Sequence, residues 1–225
     1  MHSYSSDSND RKVAPWVIAT LAVLIAYGYD SVVRWQKLDV PWWFEPPTIL
    51  AAYGVLHWVY GRDGWKWRLL GFRLSEMPDY SGTWFGELES SHDGGMNLLG
   101  MMHIHQTWTE VCVEFDCQRS RSYSLMAVVN VTPGLTEGLT FEYTNAPRNN
   151  AQETMNAHVG LNHLRLSPDG TTLEGDYFSG RGRQTFGRMR LLRIGAARMT
   201  YEQALARYEE MAGNRQAVDV AVVAR

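Results

Sequence analysis

Arg181 and Arg183 stand on either side of Gly182, with Tyr177 and Thr185 close by, in the segment 177–187. Guanidinium forks make charge-assisted, often bidentate bonds to phosphate, and an aromatic face stacks a base. A hydroxyl supplies one further polar contact. The set suits a cyclic dinucleotide or a similar phosphodiester. The same residues also describe a solvated hairpin with ordinary surface arginines, since loops carry function only sometimes.

Other chemistry is thin. His103 and His105 alternate to one face of a predicted strand, but a zinc site needs at least three protein ligands and no third stands out. The chain has no Gly-x-Ser-x-Gly turn and no glycine-rich loop opening a helix. An enzyme is therefore not expected, nor is a metal or cofactor. Cys112 and Cys117, five residues apart on one strand, would point to opposite faces, which suits reduced thiols better than a disulfide. A net charge of -3 and a pI near 6.2 argue against a DNA or RNA polymer as partner. Beyond residue 75 the positive charge comes from thirteen arginines and no lysine, a pattern that suits phosphate recognition and equally follows from a lineage bias toward arginine.

The elements that must position these residues are mostly strands. Eight are predicted, at about 82–90, 98–108, 110–117, 122–131, 138–144, 158–166, 171–178 and 184–193, from alternation such as Leu139, Phe141 and Tyr143 on one face. Asp93-Gly94-Gly95, Thr132-Pro133-Gly134 and Pro168-Asp169-Gly170 mark turns between them. Hairpin-linked strands in this number close into an antiparallel barrel. Gly82-Thr83-Trp84 resembles the opening of calycin-type barrels, where a tryptophan closes the floor under an arginine from the last strand, here Arg190 or Arg193. Thr200 and Gln203 form a capping box that starts a short terminal helix, residues 201–212, stopped by Gly213. Its Leu205, Tyr208 and Met211 are expected to pack on the barrel or on a neighbouring subunit.

Residues 13–29 form an uncharged run of seventeen, about 25 Å as a helix, and residues 40–60 carry only Glu45 and His57 as groups that could be charged. Two transmembrane helices follow. A cleaved signal peptide fits less well, because the second span would be left as an unexplained apolar N-terminus. Arg62, Lys66, Arg68 and Arg73 after the second span place both termini in the cytoplasm by the positive-inside rule. Interleaved with Trp65, Trp67, Leu69, Leu70 and Phe72, they read as a segment lying against an anionic leaflet. The predicted organisation is a tail (1–12), a transmembrane and juxtamembrane part (13–74), a barrel (75–195), and a C-terminal helix and tail (196–225). The first and last ten residues are expected to be loosely attached.

The chain resembles the two-transmembrane, β-strand-rich effectors of bacterial cyclic-oligonucleotide antiphage signalling systems (CBASS). The resemblance is carried by Pro78-Asp79-Tyr80-Ser81-Gly82-Thr83-Trp84-Phe85-Gly86, Ser90-Ser91, Gln106-Thr107-Trp108-Thr109, His158-Val159-Gly160 and the 177–187 segment. It implies an inner-membrane protein whose barrel binds a cyclic di- or oligonucleotide made by a neighbouring nucleotidyltransferase. The barrels would then form a homo-oligomer and the helices would disrupt the lipid bilayer. It also admits an effector held silent by the nucleotide and released on its depletion. Arg181, Arg183 and Thr185 are the expected ligand contacts, followed by Tyr177, Thr107 and His158. Two other readings fit the same outline: a tethered carrier holding an apolar molecule in a capacious barrel, and a tether recruiting a partner through its terminal helix.

Overall fold

Alternation along residues 82–195 gives each strand one face for an interior and one for solvent. On the strand Gly82–Ser90, Glu87 and Glu89 are exposed while Trp84, Leu88 and Ser90 are buried. The computed structural model describes residues 1–37, 49–91, 95–148, 157–180 and 184–223. In chain order the elements are β1 (His2–Ser6), α1 (Asp10–Trp35), α2 (Ile49–Arg62), β2 (Arg68–Leu69), β3 (Phe72–Arg73), β4 (Gly82–Ser90), β5 (Met96–Gln106), β6 (Glu110–Cys117), β7 (Ser120–Asn130), β8 (Gly138–Pro147), β9 (His158–Leu166), β10 (Thr172–Ser179), β11 (Phe186–Gly195) and α3 (Tyr201–Val223). They form two units, one of Met1–Asp7 with Pro78–Arg225 and one of Ser8–Met77.

The first unit is a closed barrel. Strands β4 to β11 run as an antiparallel meander and β11 pairs with β4. These are the eight predicted strands, with ends moved by a few residues. A ninth, β1, completes the wall, which corrects the expectation that the first ten residues are loosely attached. Strands β6 and β7 pair only from Cys117–Ser120 to Glu114–Tyr123 and then part at an irregularity near Ser124. There β1 enters, antiparallel to β6 through His2 and Ser3 and parallel to β7 through Tyr4, Ser5 and Ser6. The Ser124 hydroxyl bridges the parting, accepting from the Val113 N–H at 2.9 Å and lying 2.7 Å from His2 Nε2. Tyr4 is buried and donates to the Trp108 carbonyl at 2.9 Å. Backbone pairing holds β1 in place, so the polar sequence around Tyr4 shows no apolar alternation to announce it.

One end of the barrel is shut. Trp84 is fully buried, its indole N–H donates to the Tyr80 carbonyl at 2.9 Å, and the Arg193 guanidinium stacks 4.5 Å from its ring centroid. Arg193 also donates to the Asp79 carbonyl. Arg190, the other candidate for this contact, points outward and pairs with Glu174 at 3.0 Å. The closed end is the end at which the chain leaves after Asp7 and re-enters at Pro78, next to Gly82 and Gln106. On the outer face, Phe85 is covered by Tyr201, Ala204 and Tyr208 of α3, with ring centroids 5.4 and 5.2 Å away for the two tyrosines. The capping box forms as predicted, through Thr200 N–H to Gln203 Oε1 at 3.0 Å and Gln203 N–H to Thr200 Oγ1 at 3.3 Å. The helix runs on through Gly213 to Val223, because one glycine costs a helix only about 1 kcal/mol and good helix formers flank it.

In the second unit α1 exceeds the predicted residues 13–29. Charge does not end a helix, and Asp30 pairs with Arg34 one turn on at 2.9 Å. At about 39 Å it is the one helix among the described residues long and apolar enough to cross a bilayer. The second predicted span falls partly outside the described residues; its described part is α2, which packs on α1.

Trp84→Ala should cost about 3–5 kcal/mol in urea unfolding, the range for removing a buried tryptophan. Arg190→Ala, which breaks only an exposed pair, should cost less than about 1 kcal/mol.

Candidate functional site

Inward-facing residues change character along the barrel. Toward the closed end they are apolar: Met102, Ile104, Val129, Leu139, Leu164 and Leu191. Toward the other end the same strand faces carry Ser90 on β4, Ser120 and Ser122 on β7, Asn145 on β8, His158 and Asn162 on β9, and Tyr177 on β10. With Thr185 and apolar neighbours that include Leu88, Phe115, Phe141 and Met189, they line a small cavity of about 70 Å³. That is below the several hundred Å³ of a pocket for a drug-sized ligand. A larger polar ligand can meet these groups only from the mouth.

The polar groups are arranged by specific contacts. Ser122 donates to Asn145 Oδ1 at 2.8 Å. Asn162 is 3 % exposed, and its Oδ1 has no hydrogen-bond partner among the described residues. A buried amide oxygen left unpaired costs free energy unless something in the cavity satisfies it. Two tyrosines lie over glycines on neighbouring strands. Tyr143 crosses Gly160, where an added Cβ would meet its hydroxyl at 2.3 Å, and Tyr177 crosses Gly187, where it would meet Tyr177 Cε1 at 2.8 Å. The His158 ring stands edge-on to Tyr143, with centroids 6.4 Å apart. A side chain at Gly160 would collide with the Tyr143 ring and the Phe178 carbonyl, and one at Gly187 first with the Glu89 carbonyl at 1.8 Å.

The connection from β10 to β11 is clasped at its base. Ser179 N–H donates to the Thr185 carbonyl at 2.7 Å, the two hydroxyls lie 2.6 Å apart, and Thr185 N–H donates to Ser179 Oγ at 3.1 Å. Gly180 N–H donates to the Val159 carbonyl at 2.7 Å, tying the connection to β9. Arg181 and Arg183 themselves lie outside the described residues; the connection that bears them starts at Gly180 and resumes at Gln184, both at the open end. On the outer side of that end Asp116 is gripped by Arg148 at 2.6 Å and by Arg121 at 3.0 Å. Two cations thus share one carboxylate there, and Glu114 nearby is paired with Arg198.

Tyr177, His158 and Thr185 are therefore brought together, and Thr107 is not. Thr107 lies in the β5–β6 turn at the closed end, where its hydroxyl accepts from the Glu110 N–H at 3.0 Å and holds that turn. Sequence reasoning missed Asn145, Asn162, Ser120, Ser122 and Tyr143. Their signal was present as inward positions turning polar at one end of four successive strands, but it needs the orientation of each strand to be seen. His103 and His105 face outward; His103 lies 3.0 Å from Thr83 Oγ1, and burial lowers its pKa. Among the described residues no three potential metal ligands gather. Cys112 and Cys117 are both free thiols.

Two comparisons bear on this arrangement. The model of a family described as Cap15, cyclic dinucleotide receptor domain, matches residues 75–193. The chain is also 30% identical over 150 residues to CD-NTase-associated protein 15 of Yersinia aleksiciae, covering 65% of this chain and 71% of that protein.

Gly160→Ala should lower stability by about 1–3 kcal/mol, the usual cost of forcing a methyl into a filled space. In a Tyr143→Ala background the loss measured by urea unfolding should be smaller, because the tyrosine is gone and only the Phe178 carbonyl, 2.6 Å from the added Cβ, still obstructs it.

Proposed function

The chain belongs to the Cap15 family of cyclic dinucleotide receptor domains and so to the CBASS effectors; from that premise we propose that the open end of its barrel is the nucleotide site. The observation that carries the proposal is the polar interior of that end, where the Asn162 amide oxygen is buried without a partner among the described residues. A cyclic dinucleotide presents two phosphodiesters and two bases. In this reading Arg181 and Arg183 take phosphate oxygens. Tyr177, Tyr143 and His158 offer ring faces to the bases, and Asn145 and Asn162 read base edges. Thr185 lines the mouth, while its hydroxyl holds the connection that carries the arginines.

Ligand binding then favours association of barrels. Anchoring in a membrane raises the effective concentration of the chains, so a modest barrel–barrel attraction that the ligand strengthens can drive clustering, provided the ligand binds the associated state more tightly. The clustered helices disrupt the inner membrane. Connectivity supports a two-span anchor. Because β1 precedes α1 and β4 follows α2 in one closed wall, the chain must return to the side it left. If α1 crosses the membrane, a second crossing must precede residue 78. Both termini then lie with the barrel, on the cytoplasmic side by the positive-inside rule.

Calorimetric titration of the detergent-solubilised full chain against a panel of cyclic dinucleotides tests the site. One member should bind saturably. Asn162→Ala, and Arg181 and Arg183 changed together to Ala, should each weaken it by about tenfold or more, on the scale of at least one lost hydrogen bond. Thr107→Ala should leave it unchanged. Unchanged binding in the first two variants would remove the open end from consideration.

A further inference from the structure

The hairpin β2–β3 follows α2 after a single helical turn, Gly64–Lys66. Arg68 pairs with Arg73 and Leu69 with Phe72, leaving Leu70 and Gly71 as a two-residue turn with φ of 51° and 87°. Positive φ at both central positions is the geometry of a tight type I′ turn, for which Asn-Gly or Gly-Gly is the usual choice. A leucine there is strained, and it is also 90% exposed; Phe72, Leu69 and Trp67 beside it are 78%, 62% and 56% exposed. Four large apolar side chains projecting from one short ribbon have no role in water.

The place of the hairpin within its unit says what covers it. The residues that follow it are held by both helices: Asp10, the first residue of α1, accepts from the Glu76 N–H at 2.8 Å and from the Ser75 hydroxyl, and Tyr60 near the end of α2 donates to the Leu74 carbonyl at 3.2 Å. The hairpin therefore sits where the apolar helices end. Lys66, Arg68 and Arg73 lie in or beside the ribbon and Lys12 and Arg62 at the adjoining helix ends, where Asp63 pairs with Arg62 at 3.4 Å and Asp10 holds the chain after the hairpin. An apolar tip with cations beside it, level with the start of the membrane-length helix α1, matches the boundary between acyl chains and anionic headgroups.

We propose that residues 67–73 form a lipid-inserting fingertip that docks the chain on an anionic phospholipid leaflet. This rests on the membrane reading above and adds to it a second, monotopic contact in the cytoplasmic leaflet, separate from the nucleotide site. Insertion removes Trp67, Leu69, Leu70 and Phe72 from water, and the basic residues beside them select anionic headgroups.

The test uses the full chain with Cys112 and Cys117 replaced by alanine and one fluorophore on Leu70→Cys, or on Leu135→Cys as an exposed barrel control. It is reconstituted in phosphatidylcholine vesicles with or without phosphatidylglycerol. With phosphatidylglycerol, brominated acyl chains should quench the label at 70 several-fold more than the label at 135, and aqueous iodide should reach it less. Changing Lys66, Arg68 and Arg73 to Gln should reduce the acyl-chain quenching about threefold or more, as loss of attraction to an anionic surface requires. Equal iodide access at 70 and 135, or the same acyl-chain quenching in neutral vesicles, would overturn the proposal. Flotation of the same samples reports the helices independently: a chain that floats while its tip stays in water refutes only the fingertip, and a chain that does not float refutes both membrane contacts.

Discussion

The seam between β6 and β7 governs the molecule. These strands pair at one end and part at the other, and an open wall would expose unpaired backbone and let water into the apolar half of the core. Residues His2–Ser6 fill the gap. Because they come from the start of the chain, all of Ser8–Met77 becomes an excursion out of a closed barrel, leaving and returning at the same end. That end is the one plugged by Trp84 and Arg193. The opposite end is thus the place where inward positions are free to be polar and where a ligand can enter.

The two ends divide the labour. At the plugged end a tryptophan, an arginine and a set of aliphatic side chains supply stability. At the mouth, serines, asparagines, tyrosines and a histidine occupy equivalent inward positions, where they give up hydrophobic burial for hydrogen-bonding capacity. The small enclosed volume argues for recognition at the rim, with the interior groups reading whatever part of the ligand reaches down to them.

Much of this was legible in the residues. The bounds of β4, β6 and β9 follow directly from alternation, and the capping box at Thr200 located α3. Parity along β11 could have chosen Arg193 over Arg190, because Arg193 shares a face with Met189 and Leu191. What was hidden depended on partners far away in the chain. The polar β1 is a strand only because a gap waits for its backbone. Thr107, a second-rank contact by sequence beside Thr185, is set at the opposite end of the barrel once the strands are oriented. The asparagines of the mouth read as ordinary polar positions, for the same reason.

Hydrogen–deuterium exchange of the full chain, with and without a cyclic dinucleotide that binds it, addresses the central claim most directly. If the nucleotide sits in the open end, protection on binding gathers in residues 117–122, 143–147, 158–162 and 177–187. Protection confined to the closed end, in residues 104–110 and 164–172, would contradict the account.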